Sequence, residues 1–292
     1  MEQILAQAII SGITTGAIYA LVALGFCIVH NATRIVNFAQ GDFLSLGGLV
    51  AYSVFVQAGL GWMVALPAAL LAVAGVGALM ELMCLRPARN QELTVLVFIT
   101  IAASTLIRGI SRHIWGKQAL ALPALGAQEP IRLFGAVFTP QNLWIVGMSL
   151  AGIAALEGFF RLTLTGKAMR AAAMAPRPAA LVGISPGRMR TLAFALAGAL
   201  GALGGVLITP ITSLSYDVGL IIGLKGFAAA VLGGYGSVAG AIVGGVALGL
   251  VESLCAGLLS SVYKDAIAFV ILLGVLFLRP GGIMGVNEEV RV

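Results

Sequence analysis

The chain has 292 residues, 60% of them hydrophobic and only 10% charged, with a formal net charge of +6. An average soluble domain is about 25% charged, and a mean hydropathy of +1.06 excludes a water-soluble globule and leaves lipid as the solvent for most of the surface. The 39 glycines agree, because helices in a bilayer approach one another where side chains are small.

The apolar runs are continuous and about twenty residues long, as in 66–85, whereas a membrane β-barrel would alternate in segments of about ten. The predicted fold class is therefore all-α: a polytopic membrane helical bundle over 1–292, with about nine spans and a range of eight to ten. They fall roughly at 8–30, 36–58, 63–84, 93–111, 142–160, 190–210, 218–233, 237–257 and 262–279. The first reads as a span rather than a cleaved leader, since Glu2 and no Lys or Arg precede it and it continues to about residue 29.

The second span opens on a polar knot, "IVNFAQGDF" (35–43), holding Asn37, Gln40 and Asp42. An unpaired polar group in hydrocarbon costs on the order of 2–7 kcal/mol, so these side chains face protein or water. Two readings stand: a clamp tying span two to span one through His30, Asn31 or Arg34, or a wall of a transport pathway or its gate. Glu81 and Glu252 lie near span ends, where snorkelling makes a charge ordinary. Cys27, Cys84 and Cys255 lack metal-ligand spacing and read as small hydrophobes.

Between the fifth and sixth spans, 161–190 carries Arg161, Lys167, Arg170, Arg177, Arg188 and Arg190. Thr165 is expected to cap a short helix, Pro176 and Pro178 to stop it, and Ser185-Pro186-Gly187 to close the loop. A solvated connector has no need of "AAAMA" or "AALVGI", so this stretch is expected to dock on a partner protein. An interfacial helix on anionic lipid is the alternative.

Lys225, about eight residues into the seventh span, is too deep to snorkel easily. It costs roughly 2.5–3.5 kcal/mol to insert and needs an acceptor, for which Asp42, Asp217 and Glu252 are candidates. "VLGGYGSVAGAIVGG" (231–245) lacks phosphate-loop spacing. Its Gly233, Gly234, Gly236 and Gly240 are expected to form a tight turn and then a small-residue helix face. The alternatives are a broken element, or a helix start aimed at an anionic group.

Lys and Arg set orientation. The 85–93 segment with Arg86 and Arg89, the 161–190 connector, and the tail with Arg279 and Arg291 fall on one side. That side is expected to be cytoplasmic, with the N-terminus outside and the C-terminus inside. Arg112, Lys117 and Arg132 in 112–141 argue the other way but are sparser. Spans one and six then run in opposite directions, as do two and seven, suggesting two halves of inverted topology. No Gly-x-Ser-x-Gly or His-Glu-x-x-His is present, and the only histidines are His30 and His113. No catalytic residue or metal site is expected, and ATP-driven transport would need another chain to bind the nucleotide.

Gly12, Gly16, Tyr19, Ala20 and Leu21, followed by Asn37, Phe38, Ala39, Gln40, Gly41 and Asp42, resemble the opening of permease subunits of branched-chain amino-acid ABC importers. So do "LRPAR" (85–89), "RAAAMAPRPAALVGI" (170–184), "GLKGFAAAVLGGYGSVAGAIVGGVALGLVE" (223–252) and "YKDAIAFVILLGVLFLRPGGIMG" (263–285), in order and spacing. The resemblance implies a permease of the bacterial inner membrane moving leucine, isoleucine and valine, with close relatives that carry urea or short amides. It implies a second, similar permease subunit, two cytoplasmic ATPase subunits that use the ATP, a periplasmic substrate-binding protein and membrane lipid as partners. It implies no cofactor in this chain, no nucleic acid, and little selectivity in the spans. On this reading Gly166, Arg170, Ala171, Ala172, Ala180 and Gly183 belong to the ATPase-coupling loop, and Asn37, Gln40, Asp42, Lys225, Gly233 and Gly234 to the pathway or gate. Gln40 and Asp42 stand where the family has His and Glu. An ion-coupled secondary transporter, with Asp42 and Lys225 as coupling charges, is the alternative from another class.

Overall fold

The computed structural model describes residues 2–88, 92–126, 129–133, 136–258, 263–279 and 281–284. Arg89 and Arg291 lie outside the described residues, as does the side chain of Arg132. Helix α1 spans Glu2–Thr33, α2 Gln40–Tyr52, α3 Trp62–Met80, α4 Leu93–Trp115 and α5 Pro140–Leu162. After α6 (Leu164–Met174) and α7 (Pro176–Leu181) come α8 (Pro186–Thr212), α9 (Val218–Gly233), α10 (Val238–Leu258) and α11 (Lys264–Leu278). Single π-helical turns, Ser53–Gln57 and Glu81–Leu85, extend α2 and α3.

Among the described residues, α1, α3 with its extension, α4, α5, α8 and α10 are each long and apolar enough to cross a membrane. The remaining expected spans fall on shorter helices: α2, and the 16-residue α9 and 15-residue α11. The seventh and eighth spans form a tight antiparallel pair rather than a broken element. α9 stops at Gly233, and Gly234 (φ 108°) and Gly236 (φ 94°) take the left-handed turn that a side chain would strain.

Proline opens α5, α7 and α8 at the first turn, where its missing N–H costs nothing. The cap of α6 is Thr163, whose Oγ1 accepts from Gly166 N at 2.9 Å, and not Thr165, which lies inside the helix. Thr163 is extended (φ −90°, ψ 148°), the conformation an N-cap needs. Ser185, expected only to help close the loop, caps α8, its side chain accepting from Arg188 N. The 112–141 stretch contributes a feature no pattern announced: β1 (Ile131–Leu133) pairs antiparallel with β2 (Ala136–Phe138), Ile131 opposite Phe138.

The long helices α1 and α8 run in opposite directions through the centre. At one end, the hairpin end, Gln7 accepts from Val137 N, and Leu214 bridges Leu120. At the other, the connector end, Asn31 donates to Gly236 O and Arg86 donates to Thr191. The packing keeps its pattern when α1, α2, α3 and α4 are exchanged with α8, α9, α10 and α11. Thus α1 lies on α10 as α8 lies on α3, α1 on α9 as α8 on α2, and α2 on α4 as α9 on α11. Inverted halves packed about an axis in the membrane plane give this arrangement.

Glycine builds the seams. A Cβ on Gly245 would sit 2.6 Å from Ala20 N across α1–α10, and one on Gly198 would meet the Val73 carbonyl across α3–α8. Where α2 crosses α9, Gly41 abuts Gly219 and Gly223, and Gly219 N donates to Ser45 Oγ at 2.8 Å. These approaches bring backbones together without interlocking side chains, which suits helices that slide past one another.

Candidate functional site

The polar knot is fully buried: Asn37, Gln40 and Asp42 are at most 1% exposed. Asn37 Oδ1 accepts from Ala39 N at 3.1 Å and closes the turn before α2. Gln40 Nε2 donates 3.0 Å to Ala197 O on α8, and its side chain fills the space beside Gly25 on α1. Asp42 faces Arg108 Nε on α4 at 3.4 Å, and Arg108 Nη2 donates to Ser104 Oγ at 3.2 Å. Phe38 N donates to Thr100 Oγ1, also on α4, at 3.3 Å.

The knot therefore ties α2 to α8 and α4. Asn31 and Arg34, two of the residues expected to tie the knot to α1, turn elsewhere. His30 packs edge-on against Tyr235, ring centroids 4.5 Å apart. Asn31 bonds Gly236 O at 2.8 Å, and Arg34 is exposed. Helix α1 turns Asn31 toward the α9–α10 loop and meets the Gln40 side chain of α2 at Gly25. Arg108 was missed, although the signal was the one that exposed Lys225: a lone cation inside an apolar run.

Lys225 finds its acceptor in Glu252, at 2.7 Å across α9–α10, and not in Asp42 or Asp217. Asp217 Oδ1 instead accepts from Ser215 Oγ at 2.5 Å. Tyr19 OH on α1 donates to Glu252 Oε2 at 2.7 Å, and Lys264 Nζ lies 3.8 Å from Oε1. Glu252 is 5% exposed and Glu81 is 2%, so neither snorkels. Each is drawn inward because a hydroxyl of the central helix beside it and nearby cations satisfy it. Beside the Lys225–Glu252 pair a cavity of about 430 Å³ opens at the hairpin end, between α1, α5, α8, α9, α10 and the start of α11.

Gly233 and Gly234 lie apart from both clusters. Gly233 packs on Gly240, and the stretch after α11 pairs back with Ile283 N donating to Leu232 O and Met284 N to Gly233 O. The structure gives these glycines a turn and a packing contact.

At the connector end, α6 packs on α5, α8 and α1. Of the coupling residues expected from sequence, Arg170, Ala171, Ala180 and Gly183 are exposed, and Gly166 and Ala172 are buried against the bundle. A Cβ on Gly166 would be 2.7 Å from Phe160 Cα. Gly183 ends α7 with φ 87°. The outward face belongs to Leu164, which the sequence did not single out, and to Met174, Leu181 and Val182 of the "AAAMA" and "AALVGI" stretches, between 76% and 89% exposed. They stand among Lys167, Arg170, Arg177 and Arg188.

The family described as "Branched-chain amino acid transport system / permease component" matches residues 8–276. The chain belongs to this family. It is 32% identical to the high-affinity branched-chain amino acid transport system permease protein LivH of Escherichia coli (strain K12), over 98% of this chain and 97% of that one. It is 28% identical to the corresponding permease BraD of Pseudomonas aeruginosa, again over 98% and 97%. Among solved structures, PsaBC from Streptococcus pneumoniae, in complex with Fab, shares the fold with a TM-score of 0.50 at 15% identity, covering 95% of this chain and 92% of that one. Family membership and the apolar helices make this chain a multi-pass membrane transport subunit of the permease kind.

Proposed function

We propose that this permease is the translocating subunit of an ATP-driven importer of branched-chain amino acids in the bacterial inner membrane. The observation that carries the reading is likeness over 98% of the chain to permeases named for that transport. We assign the connector end to the cytoplasm and the hairpin end to the outside, because Arg86, Lys167, Arg170, Arg177, Arg188 and Arg190 gather at the former. Two ATPase subunits bind the exposed apolar face of α6–α7, a second permease subunit completes the pathway, and a periplasmic binding protein delivers the solute at the hairpin end.

The geometry supplies a mechanical route. Helices α1 and α8 both touch the connector and both line the distant cavity: Met189 and Arg190 of α8 lie against α6, while Ile208 and Thr212 reach the cavity. An α8 of 27 residues is about 40 Å of stiff rod at 1.5 Å per residue. Movement imposed on α6 by nucleotide-driven closure of the ATPases is carried along it, and the glycine seams let it slide. Asp42 and Lys225 are engaged by Arg108 and Glu252, which favours a structural use of those charges over ion coupling.

The test is reconstitution with the binding protein and ATPases. Leucine uptake is expected to require ATP and to survive a proton uncoupler. Uptake that collapses with the uncoupler and persists without the ATPases would overturn the reading. Leu181→Glu with Val182→Glu is expected to abolish ATPase co-purification while the permease still folds. A cysteine at Arg188 is expected to react only with reagent on the cytoplasmic side.

A further inference from the structure

We propose that the cavity at the hairpin end is a binding site for the amino acid itself, with separate places for its carboxylate, ammonium and branched aliphatic side chain. This rests on the substrate class proposed above and puts selectivity into the spans.

The charge arrangement comes first. Among the described residues that line the cavity, Lys225 and Lys264 are cations and Glu252 is an anion. Glu252 Oε1 receives Lys225 at 2.7 Å, while Lys264 stands back at 3.8 Å with its side chain 43% exposed. An ammonium group facing the cavity attracts a carboxylate, and low-dielectric surroundings strengthen that attraction. Lys225 and Glu252 are 6% and 5% exposed, so these charges are held inside the protein rather than waving at its surface.

The hydroxyls come second. Thr14 Oγ1 donates to Ile10 O, Thr15 Oγ1 to Ser11 O and Thr212 Oγ1 to Ile208 O. Their hydrogens are spent on their own helices, so toward the cavity they offer acceptor lone pairs. Acceptors together with the Glu252 carboxylate suit an ammonium, which only donates.

The apolar wall comes third. Ile18, Ile145, Ile208, Ile211 and Ile222 line the same cavity, a branched aliphatic lining for a branched aliphatic side chain. The volume of about 430 Å³ falls within the roughly 300–1,000 Å³ of small-molecule sites. The Lys225–Glu252 pair gives each charge a partner, and a bound zwitterion replaces that pairing with its own two charges.

The experiment is equilibrium binding of radiolabelled leucine to the purified permease–ATPase complex without the binding protein, read per assembled complex. Saturable binding is expected. Isoleucine and valine should displace the label, whereas leucine methyl ester, which lacks the carboxylate, and 4-methylpentanoate, which lacks the ammonium, should not. Ala256→Trp, which fills the cavity, is expected to weaken binding at least tenfold. Thr15→Val, which keeps the volume and removes an acceptor, should weaken it severalfold, and it decides the matter if the tryptophan variant does not fold. The proposal is overturned by absence of binding to the wild-type complex, by equal displacement with the ester and the des-amino acid, or by wild-type binding in the folded variants. ATP-driven leucine uptake by the complete system separates the two readings. Uptake without binding at the cavity sinks the site alone, and no uptake sinks the transport reading beneath it.

Discussion

Glu81 and Glu252 hold related places in the two halves of the bundle, each on the third helix of its half and each beside the central helix of the other. Glu81 Oε2 accepts from Thr191 Oγ1 on α8 at 2.6 Å, as Glu252 Oε2 accepts from Tyr19 OH on α1 at 2.7 Å. Their cations differ. Arg86 and Arg190 stand 3.4 and 3.7 Å from Glu81 with side chains 40% and 36% exposed. Lys225 touches Glu252 at 2.7 Å with its side chain 8% exposed. A pair with a solvated cation is worth about 0–1 kcal/mol, whereas removing one partner of a buried pair costs about 3–5 kcal/mol. One geometry thus has two settings: at the connector end the cations are half-exposed, and at the hairpin end the pair is buried beside a cavity.

The largest effect should come from closing either seam. Gly245→Val and Gly198→Val both drive a side chain into backbone, and both are expected to abolish recovery of folded protein by size-exclusion chromatography. Gly75→Val, with nothing within 4 Å of its Cβ, should leave recovery unchanged. If one seam tolerates valine and the other does not, the equivalence of the halves fails. Next comes Lys225→Met, which leaves Glu252 with Tyr19 and the more distant Lys264. Membrane insertion should be normal, stability should fall by about 3–5 kcal/mol and uptake should be lost. An unchanged thermal unfolding temperature would make the pair ornamental.

Smaller is Glu81→Gln, which keeps an acceptor for Thr191 and gives up only attraction to half-exposed arginines. Stability should change by at most about 1 kcal/mol, while solute moved per ATP hydrolysed drops. A fall in stability as large as that of Lys225→Met would erase the contrast between the two ends. Smallest is Arg112→Gln at the hairpin end. Arg112 lies 6.0 Å from the Tyr216 ring centroid, an exposed contact worth about 0.5–1 kcal/mol, and uptake should be unaffected.

The helical bundle, the approximate spans and the basic connector were legible because they are local properties. A run of apolar residues dictates its own solvent, whereas the helix starts were read less well: Thr163 rather than Thr165 caps α6, and Pro176, expected to stop a helix, opens α7. Lys225 could be read as needing an acceptor for the same reason, since the cost of a buried charge is paid at its own position. Which acceptor it takes depends on how α9 and α10 are rotated against each other, so Glu252, 27 residues away, could not be told from Asp42 or Asp217. The same limit hid the direction of the connector. Its apolar composition stood out in the sequence, but helix phase decided that Gly166 and Ala172 turn inward and Leu181 and Val182 outward. The seams and the cavity are further still from local pattern. The chain by itself determined what must leave water, whereas the tertiary structure decided which buried groups meet, because partner choice is set by helix rotation and depth that no single segment encodes.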